Sequence, residues 1–202
     1  MNIYSFLVVF LLISTALLDT TADTLNLRKM SPELPGEFKS VYDPEKYRTS
    51  LQYQKEKSRA DNVKRTIFLP LTLAFIFAGG FNAVDLYARS FGRGSLVTGL
   101  IFVGILSLAR TLIGLPFSIH DTFVIEERYG FNRTTPHTFT LDLMKGLALG
   151  IVFGTPIFLA IQYFFEKAGT RAWLYSWLGL TAFQLLIFFL APVLLMPLFN
   201  KF

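Results

Sequence analysis

From Ser95 to Ile119 the chain carries a single charge, Arg110, in a run dominated by Leu, Ile, Val and Gly. Four further stretches read the same way: Ile3–Leu18, Ile67–Ala88, Gly146–Phe165 and Ala172–Phe199. A helix needs about 20 apolar residues to cross the hydrocarbon core of a bilayer. Each stretch reaches or approaches that length. In hydrocarbon a backbone amide finds no water, so only a helix can satisfy its own hydrogen bonds within one segment. The expected fold is therefore all-α, a polytopic membrane protein with five spans. Composition agrees: 52% of residues are hydrophobic and 16% charged, too little polar surface for a water-soluble domain of this size.

The first block has one competing reading. Thr20-Thr21-Ala22 faintly resembles a signal-peptide cleavage site, but no Lys or Arg precedes the apolar core. It reads as an uncleaved first span. The net charge of +5 does not point to nucleic acid, because its distribution follows the loops. Residues 19–65, 120–145 and 200–202 hold ten, three and one Lys or Arg. Against these stand Arg89, Arg93, Lys167 and Arg171 between the alternate spans. Basic residues collect on the cytoplasmic side, which places the amino terminus outside and the carboxyl terminus in the cytoplasm. Compact loops favour a bacterial inner membrane over the endoplasmic reticulum. Without cysteine the chain has no disulfide, thiol nucleophile or thiolate metal site.

The longest polar segment is the helical loop 19–66. Its SPELPGEF string, with Pro32, Pro35 and Gly36, reads as an ordered turn. Asp43-Pro44-Glu45 then has the chemistry of a helix start: a capping carboxylate, a proline suited to the first helical position, and an acid at the positive end of the dipole. Asp61 with Lys64 and Arg65 offers ion pairing at helical spacing. The segment is expected to be a solvated helix leading into the second span, with a membrane-surface or partner-docking helix as the alternative. In the second polar loop Gly130 suits a left-handed helix end, and Thr135-Pro136 reads as the cap and first turn of the next helix. Asn132-Arg133-Thr134 matches a glycosylation acceptor but falls on the cytoplasmic side.

Within the spans, Gly146, Gly150 and Gly154 line one helix face and suit close helix packing. Gly79-Gly80, Pro156, Pro192 and Pro197 are candidate kinks. The search for a catalytic set finds little. His120 and His137 are the two histidines, and neither lies in H-E-x-x-H, the spacing that places two imidazoles on one helix face around zinc. His120, Asp121, Glu126 and Glu127 are weighed as metal ligands and set aside in favour of interfacial polar residues. No catalytic or metal residue is assigned. Polar residues inside spans say more: Asn82, Asp85, Arg110 and Gln184, with Gln162 beside them. Such residues either bond across helices or line a hydrated cavity.

Three strings carry more specific information: SPELPGEFKSVYDPEKYRTSLQYQ, LPFSIHDTFVIEERYGFNRTTPHTFTLDLMKG and APVLLMPLFNKF. In this order they resemble the amino-terminal region of the type I CAAX prenyl endopeptidases, integral-membrane zinc metalloproteases. GFNRTT and MPLFNKF are the most specific parts. The resemblance implies that the spans form part of a larger helical barrel around a hydrated chamber. It also implies zinc-dependent cleavage of peptide bonds in prenylated substrates. The family's H-E-x-x-H lies downstream of MPLFNKF, so zinc is implied for the full-length family and not for residues 1–202. The chain then reads as the front part of a protease, inactive alone and completed by a separate or downstream catalytic half. The rival class is a stand-alone membrane scaffold or a transporter or channel subunit. In either case the partners expected are the bilayer and, for a complete protease, a peptide or prenylated peptide; nucleic acid is not among them.

Overall fold

The structure, a computed structural model, describes residues 3–31, 33 and 43–199. The expected turn at SPELPGEF lies almost wholly outside the described residues. Every regular element among those described is helical: α1 (Ile3–Lys29), α2 (Pro44–Phe77), α3 (Gly80–Ser90), α4 (Ser95–His120), α5 (Pro136–Lys167), α6 (Ala172–Leu190) and α7 (Met196–Phe199). Two π-helical segments, Asp121–Glu126 and Ala191–Leu195, extend α4 and α6. Among the described residues four helices are long and apolar enough to cross a membrane, and α2 with α3 makes a fifth span when the bent pair is counted as one. The five-span, all-α expectation holds.

The helix boundaries differ from the apolar blocks in an instructive way. α1 continues past Leu18 to Lys29, since no glycine or proline interrupts residues 19–31. α2 starts in the polar loop and runs 34 residues without a stop, a rod of about 50 Å. Hydrophobicity marks where a helix meets hydrocarbon, whereas caps and breakers decide where it begins and ends. The caps are as expected. Asp43 Oδ1 accepts from the Glu45 N–H at 2.8 Å with Pro44 in the first turn. Thr135 Oγ1 accepts from the Thr138 N–H at 3.1 Å with Pro136 following.

The second span is broken at Gly79-Gly80, where α2 and α3 meet at 63°. Gly79 has φ +73°, a conformation that costs a side-chain-bearing residue energy. Gly80 is covered by the Phe75 ring, and a Cβ there would lie 2.4 Å from it. The prolines act differently. Pro70, Pro116 and Pro156 sit inside α2, α4 and α5 without ending them, while Pro192 falls where α6 gives way to its π-helical extension.

The helices fall into two compact units, Met1–Val84 with Leu108–Arg133, and Asp85–Ser107 with Thr134–Phe202. In the first, α1 and α2 pack together, and Arg65 Nη1 lies 2.5 Å from Asp23 Oδ2 across the pair. In the second, α5 packs on α6. The start of α4 is fixed to the end of α5 by two polar contacts: Ser95 Oγ donates to Glu166 Oε1 at 2.6 Å, and Gln162 Nε2 donates to the Ser95 carbonyl at 2.8 Å. The Glu166 carboxylate also sits against the positive end of α4. Gly99 makes room for the amide, since a Cβ there would lie 2.5 Å from Gln162 Oε1.

Two glycine substitutions should move stability in opposite directions. Gly79→Ala forces a side chain into the left-handed region and should cost about 1–2 kcal/mol. Gly104 lies inside α4 with open space around its Cβ position, so Gly104→Ala should gain up to about 1 kcal/mol from helix propensity. Thermal unfolding in detergent, read by circular dichroism, checks both signs.

Candidate functional site

A polar and aromatic cluster is built between α2 and the segment after α4. Gly130, with φ +73°, turns the chain, and the Phe131 and Asn132 amides both donate to the Glu126 carbonyl, at 2.9 and 3.1 Å. Asn132 Nδ2 adds a bond to Glu127 Oε2 at 2.9 Å. This closed end presents Tyr129 and Phe131 to Tyr53 of α2, with edge-to-face ring contacts at 5.5 and 4.9 Å between centroids. Ile125, in the same segment, is 1% exposed. Around the rings run two ion pairs. Lys57 Nζ lies 3.6 Å from Glu126 Oε1, and Arg128 pairs with Glu56.

The rings supply most of this clasp's energy. An edge-to-face aromatic pair contributes about 0.5–1.5 kcal/mol beyond its buried area. A solvent-exposed ion pair contributes about 0.2–1 kcal/mol and weakens with salt. The charges instead select register, because Glu56-Lys57 meets Glu126 and Arg128 with opposite signs. Two titrations report the contact. The Lys57 ammonium, bonded to the Tyr53 hydroxyl at 3.2 Å and facing Glu126, is held above the usual lysine range. Burial, and then the Glu56 carboxylate facing the hydroxyl, push Tyr129 above the usual tyrosine range.

Of the clasp residues, only Glu126 and Glu127 are among the metal ligands weighed from the sequence; Tyr53, Glu56, Lys57, Arg128, Tyr129 and Phe131 are not singled out there. Glu56 and Arg128 are 72 positions apart, so no local spacing announces them. The available signal was complementary charge in two polar loops that each also carry aromatics.

The sequence-derived candidates are dispersed. Asp85 Oδ2 accepts from Arg89 Nε at 2.7 Å, one turn along α3. Asn82 and Gln184 are exposed on α3 and α6. Arg110 is exposed on α4, and no hydrogen bond or ion pair to it occurs among the described residues. Gly146, Gly150 and Gly154 are exposed too, and a Cβ added at any of them meets no atom within 4 Å. Of the acids considered beside His120, Asp121 alone is near it, at 3.9 Å, while Glu126 faces Lys57. No group of three metal-ligating side chains occurs among the described residues.

Both raised pKa values favour the protonated, docked state. The clasp should therefore be intact below about pH 10 and should loosen as the pH rises through the shifted values. In an alkaline absorbance titration, a tyrosine component should ionise above the ordinary range, and Tyr129→Phe should remove that component.

Comparison with known proteins adds the frame into which these features fit. A family model described as "CAAX prenyl protease N-terminal, five membrane helices" matches residues 23–201. The probable CAAX prenyl protease 1 of Schizosaccharomyces pombe is 34% identical over 189 residues, covering 87% of this chain and 39% of that protein. CAAX prenyl protease 1 of Saccharomyces cerevisiae is 32% identical over 181 residues, 84% of this chain and 40% of its own length. The Arabidopsis thaliana homolog is 30% identical over 192 residues, covering 88% and 45%. The chain thus spans less than half the length of each of these relatives. The crystal structure of S. mikatae Ste24p superposes with a TM-score of 0.86 at 26% identity, over 100% of this chain and 49% of that one. With five apolar spans, the expected caps and a match over residues 23–201, the chain belongs to the CAAX prenyl protease amino-terminal family.

Proposed function

We propose that this chain is the membrane-embedded amino-terminal module of a zinc metalloendopeptidase that cleaves prenylated CAAX-type peptides, and that residues 1–202 are catalytically inactive by themselves. The observation that carries this reading is the family match over nearly the whole chain, set beside a sequence without H-E-x-x-H. The H-E-x-x-H class of zinc peptidase needs two imidazoles and a base at fixed helical spacing. His120 and His137 do not have that spacing. The zinc site and the reacting groups then belong to a catalytic half supplied downstream or by another chain.

The module's own contribution is a wall and an orientation. The basic bias of residues 19–65 and 120–145 supports an amino terminus outside and a carboxyl terminus in the cytoplasm. The clasp joins those same two segments and supports one shared side for both. Compact loops support a bacterial inner membrane, the eukaryotic relatives support the endoplasmic reticulum, and the orientation is the same in either. Arg110 cannot shed its charge, since a guanidinium pKa lies above about 12. Facing lipid at depth, it would cost at least about 2.5 kcal/mol. An exposed, unpaired position on α4 supports a place on a hydrated chamber wall, with Asn82, Asp85 and Gln184 as further wall residues. The open face at Gly146, Gly150 and Gly154 supports close approach by a helix of the other half.

Purified alone, residues 1–202 should retain no stoichiometric zinc after gel filtration and should leave a farnesylated CAAX peptide intact. Co-expression with the carboxyl-terminal half of a relative should restore cleavage that a chelator abolishes. Chelator-sensitive cleavage by residues 1–202 alone would overturn the proposal.

A further inference from the structure

Between α5 and α6 lies a cavity of about 370 Å³ that the protease reading does not use. Its lining is apolar: Phe153, Ala160 and Phe164 on α5, Gly179 and Phe183 on α6. The one side-chain polar atom in the lining is the hydroxyl of Ser176. Ser176 is 7% exposed, and its Oγ has no hydrogen-bond partner among the described residues. A buried hydroxyl without a partner is costly, and native proteins rarely leave one so.

The position of that hydroxyl along the span narrows what satisfies it. Ser176 lies five residues past Arg171, about 7 Å of helix from the charged turn. Trp173 and Trp177 flank it, and both are exposed, as aromatics of the membrane–water interface are. From Phe164 the α5 wall continues to Val152, about 18 Å toward the span interior. The cavity therefore has one neutral hydrogen-bonding group at interfacial depth and an apolar body below it. No charged side chain lines it, so a phospholipid phosphate or amine would find no partner. Ala160 and Gly179 keep the walls shallow between aromatic rings, which suits a flat, rigid body. The order Arg171, Tyr175, Leu178 is also the basic, aromatic and aliphatic spacing suggested for sterol contact, read in reverse.

We propose, on the endoplasmic-reticulum placement, that the α5–α6 cavity is a sterol site, in which the sterol hydroxyl bonds Ser176 Oγ and the ring system lies against Phe164, Ala160 and Gly179. No bond is made or broken; the site is a regulatory or stabilising one, independent of the zinc chemistry.

The chain's two tryptophans stand on either side of Ser176 and provide the readout. Residues 1–202, reconstituted in phosphatidylcholine vesicles with increasing dehydroergosterol, should transfer tryptophan excitation to the sterol along a saturating curve. Cholesterol should compete, and cholesteryl methyl ether should compete less well. Ser176→Ala should raise the half-saturating sterol fraction roughly five-fold, the loss of about one neutral hydrogen bond. Gly179→Leu should abolish saturation by filling the cavity, since a Cβ there meets only Phe164, at 3.9 Å. Circular dichroism confirms that each variant remains helical. Transfer that rises without saturating, as for random mixing, would overturn the proposal, as would saturation unchanged in both variants or equal competition by the ether.

Discussion

In hydrocarbon a peptide group has no hydrogen-bonding partner outside its own helix, and the rest of this structure depends on that constraint. It forces the five apolar blocks into helices whatever their local propensities. It also explains why Pro70, Pro116 and Pro156 are carried inside α2, α4 and α5 without ending them. Leaving the helix at depth would expose many peptide groups, whereas a proline removes one bond and strains one turn. The chain does break within an apolar block at Gly79-Gly80, where glycine accepts φ +73° and Phe75 covers its neighbour.

With the backbone satisfied internally, tertiary specificity falls to the few polar and aromatic groups outside or at the edges of the apolar stretches. Lipid is as apolar as leucine, so burial of leucine does little to select helix partners within the bilayer. The contacts that do select lie at the margins. Asp23 with Arg65 ties α1 to α2; Ser95, Gln162 and Glu166 tie α4 to α5; Tyr53, Tyr129 and Phe131 tie α2 to the segment after α4. Each uses a residue whose polar tip can be wet while its body is covered.

Much of the fold was legible because its signals are local. Asp43-Pro44, Thr135-Pro136 and Gly130 each act within a few residues, and each does what its chemistry suggests. The extension of α1 to Lys29 was less legible, since an apolar window measures hydrocarbon contact and not helix length. The clasp was not legible, because Glu56 finds Arg128 only after two helices have been placed. Gln162 was noted as a polar span residue, yet its role depends on Gly99 and Ser95 across the helix pair. Long-range complementarity of this kind leaves no periodic trace in one sequence.

The account's central claim is that the two basic segments lie on one side of the membrane, held together there by the clasp. The chain has no cysteine, so single introduced cysteines report position without background. Thr49→Cys, Gly94→Cys and Arg133→Cys should be expressed separately in bacterial spheroplasts and exposed to a membrane-impermeant maleimide. The account predicts labelling of Gly94→Cys in intact spheroplasts, and labelling of the other two only after permeabilisation. Opposite behaviour of Thr49→Cys and Arg133→Cys, or protection of Gly94→Cys with the other two labelled, would contradict it.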